Sequence, residues 1–209
     1  MPATNDLAAW MKERKIAYGS EAKSLLKSRG VKKPRQLLSY AVKKGVLYKA
    51  MNDFYTIRKD EILASYSFFP FYFSLQTAMS LRNLPLWTQE THSNICTVER
   101  VRRSEVHLYG KRSGYRLFAH HLPRKYFFGY SLVQSKAYGR LPVAEPEKIL
   151  IDFVYLQILE SRQVYEILAG GISARRLRDY LKPYDKRTQA STMKIYKENK
   201  GSKSKDLYY

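Results

Sequence analysis

Apolar residues recur at helical spacing along the first third of the chain in three short runs, each closed by a break. Leu7, Ala8, Trp10 and Met11 form the first run, which Tyr18-Gly19 interrupts. Ser20 is a good N-cap for a second helix that carries Leu25 and Leu26 and ends at Gly30, where glycine takes the left-handed conformation that closes a helix. Pro34 suits the first position of a third helix, whose Leu37, Leu38, Ala41 and Val42 face inward before Gly45 stops it. That inward stripe leaves Arg35, Gln36, Ser39, Tyr40, Lys43 and Lys44 facing outward. Two β-like segments, Val46 to Ala50 and Phe54 to Ile57, flank Met51-Asn52-Asp53, where the Asn-Asp pair supports a tight turn. Three helices and a hairpin predict a winged helix-turn-helix over residues 1–59.

The pattern then changes. A junction runs from about Asp60 to Tyr66, and a second domain, set at residues 60–181, takes up its own pattern near Phe68 with a helix from Ser74 to Leu84. The β-branched, alternating stretch His92 to Val101 and the segments Val106 to Tyr109 and Gly114 to Phe118 read as strands. Pro146 opens a helix whose residues Ile149 to Leu159 are apolar nearly all round, the mark of a buried central helix. Further helices are expected at Gln163 to Ala169 and Ser173 to Leu181, leaving residues 182–209 as a basic C-terminal extension. The fold class is therefore α+β: an N-terminal winged helix-turn-helix followed by a mixed α+β domain.

Composition adds a partner. The 209 residues include 38 Lys+Arg against 18 Asp+Glu, a formal charge of +20, while 44% hydrophobic and 14% aromatic residues are too many for a disordered polycation. The excess is densest at the ends, +9 over residues 1–60 and +5 over residues 182–209 against +6 over the longer middle. A folded chain of this charge points to a soluble polyanion, and nucleic acid is the usual one. No charge occurs between Glu61 and Arg82, but Ser65, Ser67, Pro70, Ser74, Gln76, Thr77 and Ser80 dilute that stretch too far for a membrane span. A single cysteine, Cys96, excludes an internal disulfide framework, and the N-terminus lacks the order of a secretory signal, so a reducing, cytoplasmic setting is expected.

In a helix-turn-helix the second helix of the pair enters the major groove, where Arg and Lys read guanine, Gln reads adenine and flanking cations hold phosphate. Arg35, Gln36, Ser39, Tyr40, Lys43 and Lys44 are thus the expected DNA-binding residues, with Lys49 and Asn52 as contacts from the wing. Catalytic and metal sites are not expected. Glu145, Glu147 and Asp152 cluster as a magnesium site would, yet acids at the first turn of a helix also answer its dipole, and Lys148 with Asp152 at i,i+4 reads as an ion pair. His120-His121, His107 and Cys96 are residue types that bind metal, but His120 and His121, adjacent on a strand, point to opposite faces and cannot easily share one ion, and solvated or hydrogen-bonded histidines are the expected reading. No cofactor-binding motif is present, and Gly170-Gly171 reads as a turn between helices.

The order of motifs carries a resemblance. The winged-helix segment YGSEAKSLLKSRGVKKPRQLLSYAVKKGVLYKAMNDFYTI, then FYFSLQTAMSLRNL, then GYRLFAHHLPRKYFFGYS, then VAEPEKILIDFVYL resembles the AbiEi family, antitoxins of type IV toxin–antitoxin systems linked to abortive phage infection. FFGY at Phe127 to Tyr130 and PEKILID at Pro146 to Asp152 are its most specific pieces, and the tail after Leu181 lies outside it. The resemblance implies a transcriptional regulator whose winged helix binds double-stranded DNA and represses its own operon, and whose C-terminal domain neutralises a nucleotidyltransferase toxin. Two other readings of the same residues stay open: a stand-alone basic nucleic-acid-binding protein without a toxin, and a magnesium-dependent nucleic-acid-processing enzyme.

Overall fold

The computed structural model describes residues 2–84, 92–102, 104–159, 167–168 and 171–199. It is a mixed α+β chain that divides into two compact units, the first comprising residues 1–69 and 105–117 and the second residues 70–104 and 118–209.

The first unit begins with α1 (Pro2–Arg14), β1 (Ile16–Tyr18), α2 (Gly19–Ser28) and α3 (Pro34–Lys43), followed by β2 (Tyr48–Met51) and β3 (Phe54–Thr56). Helices α2 and α3 end in the same way. Gly30, at φ +76°, follows α2, with its N–H on the Lys27 carbonyl at 2.9 Å and the Val31 N–H on the Leu26 carbonyl at 3.0 Å. Gly45, at φ +69°, follows α3, with its own N–H on Val42 at 3.0 Å and the Val46 N–H on Ala41 at 2.9 Å. Both are Schellman closures, in which the left-handed glycine turns the chain back to satisfy helix-end carbonyls. The core is the one the periodicity demands: Leu7 and Met11 of α1, Ala22 and Leu26 of α2, and Leu38 and Ala41 of α3 pack with Ala17, Leu47 and Tyr55.

Two local expectations are corrected. Helix α2 starts at Gly19, one residue before the expected cap Ser20, because Glu21 reaches back to accept the Tyr18 N–H at 2.8 Å, the return half of a capping box. The Tyr18-Gly19 break is in fact preceded by a strand: β1 pairs with β3 (Ala17 opposite Tyr55), giving an antiparallel sheet of order β1-β3-β2. A register shift between Lys49 and Met51 carries β2 into the turn at Asn52, whose φ is +39°.

Asp60 then caps α4 (Glu61–Ser65), accepting the Leu63 N–H at 3.0 Å. The uncharged stretch from Glu61 to Arg82 is broken into short elements, a 3-10 turn (Tyr66–Phe68), β4 (Phe71–Phe73) and α5 (Leu75–Leu81) following α4. No helix among the described residues is long and apolar enough to cross a membrane. Helix α5 is shorter than the expected Ser74 to Leu84 helix, by one residue at its start and three at its end.

In the second unit β5 (Ser93–Thr97) pairs antiparallel with β4, and β8 (Tyr130–Ser135) antiparallel with β9 (Gly139–Ala144), while β4 and β9 run parallel. Between β5 and β8 the chain forms β6 (Glu105–His107) and β7 (Arg116–His121), and residues 105–117 group with the first unit although they follow β5 in sequence. Helix α6 (Pro146–Tyr155) is buried from Glu147 to Phe153 and packs on α5, α7 (Ala174–Leu181) and α8 (Lys186–Asn199), but it stops short of the expected Leu156 to Leu159, where Ile158 is exposed. Helix α8 lies within residues 182–209 and buries Thr188, Thr192 and Tyr196. The helix expected at Gln163 to Ala169 lies outside the described residues except for Ile167 and Leu168, which are helical.

Candidate nucleic-acid interface

Residues 35–44 present the outward face that the stripe of α3 predicts. Arg35, Gln36, Ser39, Tyr40, Lys43 and Lys44 are all exposed, while Pro34, Leu38 and Ala41 are buried. Gln36, Tyr40 and Lys43 fall on one line at i, i+4, i+7. At 1.5 Å per residue the face is about 14 Å long, or roughly four base-pair steps. The Lys44 ammonium lies 5.8 Å from the centre of the Tyr40 ring, a cation–π contact that keeps both side chains out on the surface. Lys49 on β2 and Asn52 in the following turn are exposed as well.

A groove of about 790 Å³ runs between α2 and the start of α3. Its lining includes Lys23, Lys27, Lys32, Lys33 and Arg35, with Gln36, and not one carboxylate. Five cations on one concavity attract polyanions, and the positive end of the α3 dipole adds to the potential beside Arg35. Sequence reasoning singled out the α3 face and missed this second bank. Its signal was available: Lys23 and Lys27 stand one helical turn apart, and Lys32-Lys33 fill the turn that leads into Pro34.

Among the described residues, the groove cation Lys23 pairs with a carboxylate, Asp53 of the β2–β3 turn, at 2.8 Å. The hydrogen bond from Lys23 holds the Asp53 carboxyl below its ordinary range, with the charge of Lys49 adding to the effect. A lowered carboxyl pKa contributes stability that is complete above the unfolded value and is lost as pH falls through the folded one. The pair is half-exposed, so its contribution is under about 1 kcal/mol. Lys23→Ala should therefore raise the Asp53 pKa toward its ordinary value in a carboxyl-detected NMR titration; an unmoved value would mean that the pair is not formed.

Glu145, Glu147 and Asp152 are each engaged by protein groups, and the first two share Arg176. Glu145 accepts from the Tyr180 hydroxyl at 2.6 Å and lies 3.4 Å from Arg176. Glu147 accepts the Ser173 N–H at 2.8 Å and lies 3.6 Å from Arg176. Asp152 meets Lys148 in the i,i+4 ion pair and accepts from the hydroxyls of Tyr72 at 2.9 Å and Ser74 at 2.7 Å. His120 bonds Asn94 at 3.2 Å and burial depresses its pKa, whereas His121, on the other face of β7, bonds the Glu99 carbonyl at 3.2 Å. His107 is exposed, and Cys96 is buried, its thiol pushed well up by that burial. Among the described residues no three His, Cys, Asp or Glu side chains are grouped so as to hold a metal ion.

No protein-family model matches the chain, and no curated protein is similar to it. Among solved structures it is similar to the crystal structure of the RV2827C protein from Mycobacterium tuberculosis, with a TM-score of 0.66 over 94% of this chain and 77% of that one. The two share 12% of their residues, so the likeness is one of fold, and the fold they share is mixed α+β.

Proposed function

We propose that the first unit is a winged helix-turn-helix that binds double-stranded DNA, and that the chain is a non-catalytic transcriptional regulator of the AbiEi type whose protein partner is a nucleotidyltransferase toxin. The observation that carries the DNA reading is the pairing of the exposed Arg35-to-Lys44 face of α3 with a carboxylate-free basic groove at its start. In this reading α3 lies in the major groove, with Arg35 and Gln36 against base edges and Lys43 and Lys44 on phosphates. The groove cations grip the backbone beside the recognition helix, and Lys49 and Asn52 reach the next stretch of backbone from the wing. The toxin part of the proposal rests on the motif resemblance alone, and co-purification with the product of an adjacent nucleotidyltransferase gene tests it.

Binding of the full chain to the DNA upstream of its own gene tests the first part. Arg35→Ala or Gln36→Ala should lose about 1–3 kcal/mol on the cognate site and relax base preference at one position, whereas Lys43→Ala or Lys44→Ala should weaken cognate and random duplexes alike and reduce the salt slope by about 1 each. Equal losses on both duplexes for all four variants would remove major-groove readout from the proposal.

A further inference from the structure

Residues 105–117 leave the second unit, join the first and return. Tyr109 is their main hold on the β1-β3-β2 sheet. The Tyr109 hydroxyl stands 3.0 Å from Thr56 Oγ1, receives the Asp60 N–H at 2.9 Å and donates to the Asp60 carbonyl at 2.9 Å. The Tyr109 N–H donates to the Ala50 carbonyl at 2.8 Å, on the outer edge of β2 and two residues from the wing turn at Asn52. Tyr48, Tyr109 and Tyr115 stack edge to face, Leu108 and Leu117 are fully buried, and Glu61 accepts the Arg116 N–H at 3.0 Å.

Beyond this anchor the chain makes a built turn. The Ser113 N–H bonds the Gly110 carbonyl at 3.1 Å, the Tyr115 N–H bonds Ser113 Oγ at 3.2 Å, and Gly110 and Gly114 take φ of +98° and +79°. The turn carries Lys111 and Arg112, both exposed, neither in an ion pair with a described residue. Space around Gly110 and Gly114 is open to at least 4 Å. Lys111 is two residues from Tyr109, which places its Cα within about 7 Å of that anchor.

We infer that the Gly110–Gly114 turn is a second wing, and that Lys111 and Arg112 bind DNA phosphates alongside the β2–β3 hairpin. A clamp needs only Leu108, Tyr109 and Leu117. The turn instead lifts two cations clear of the protein, on a loop whose ordering the Tyr109 hydrogen bonds have already secured, so little entropy is lost on binding. This inference rests on the DNA-binding reading of the first unit.

The test is the salt dependence of binding between about 50 and 200 mM salt, for the full chain on a short duplex of random sequence. Lys111→Ala/Arg112→Ala should reduce the slope of log affinity against log salt by about 1.8, the share of two phosphate contacts, and weaken binding by on the order of tenfold. The charge-keeping Lys111→Arg/Arg112→Lys should retain the wild-type slope, and neither variant should move the melting temperature. A wild-type slope in the alanine variant, with the slope lowered in Lys43→Ala/Lys44→Ala, would reduce the loop to a clamp and leave the DNA reading standing. No change in either alanine variant would overturn both. Loss of slope in the charge-keeping variant would overturn the phosphate assignment.

Discussion

Lys148→Met should lower the stability of the chain by about 3–5 kcal/mol in urea denaturation, the cost of leaving one member of a buried ion pair without the other. Lys148 and Asp152 are both fully buried on α6. The ammonium also donates to the Tyr184 hydroxyl at 2.9 Å and lies 5.4 to 5.7 Å from the ring centres of Tyr72, Phe128 and Tyr184. Methionine fills the space of the lysine stem but leaves the Asp152 carboxylate facing only hydroxyls and the Cys96 thiol. Such a loss is a large part of the 5–15 kcal/mol that holds a typical domain together. A loss below about 1 kcal/mol would mean that water reaches the pair. Millimolar magnesium should leave the wild-type melting temperature unmoved, since each Asp152 oxygen already has a protein partner; a rise that vanished in Asp152→Ala would turn this cluster into a metal site.

Gly129→Ala, within the FFGY segment, is expected to cost about 3 kcal/mol in the same measurement. Its φ is +73°, and a side chain there costs about 1–2 kcal/mol before any contact is counted. The added methyl would also stand 2.9 Å from Tyr180 Cε2 and 3.2 Å from Cβ and Cδ of Lys148. Neither neighbour can step aside cheaply, because the Tyr180 hydroxyl is tied to Glu145 and Lys148 is enclosed by aromatic rings; overpacking of this kind adds about 1–3 kcal/mol. Burial, with the Glu145 hydrogen bond second, raises the Tyr180 phenol to about 12. That pKa should fall in the variant as the ring is displaced. A cost near zero with the phenol unchanged would show spare room beside α6.

The parts of this structure that were legible in the sequence are those decided by local chemistry. Helices α2 and α3 announce themselves because each has its inward stripe and its closing glycine within a dozen residues, and the exposed face of α3 follows from that stripe. The Lys148–Asp152 pair follows from i,i+4 spacing, but its complete burial does not, because the aromatic residues that enclose it come from Tyr72, Phe128 and Tyr184, distant in sequence. Strand β1 is three residues long, too short to show an alternation, and exists through its pairing with β3. Helix α8 was concealed by composition: its buried stripe is Thr188, Thr192 and Tyr196, polar in type, with the Thr192 hydroxyl satisfied by the Thr188 carbonyl at 2.8 Å. The return of residues 105–117 to the first unit depends on hydrogen bonds of Tyr109 to residues about fifty positions earlier, which no local pattern encodes.

That return sets an order of events during synthesis. The chain crosses between its two units three times, at 69/70, 104/105 and 117/118, so the first unit is not a contiguous stretch of message. When Phe69 leaves the ribosome, Thr56 and the Asp60 backbone still lack their Tyr109 partner. Forty more residues must follow before Tyr109 emerges, a delay of roughly 2–8 s at the usual elongation rates. Through that interval the outer edge of β2 is an unpaired strand edge at the Ala50 carbonyl, and an unpaired edge is a site for pairing with another chain. Nascent copies on one polysome are therefore most prone to join through β2 in those seconds, and the arrival of Tyr109 closes the opportunity.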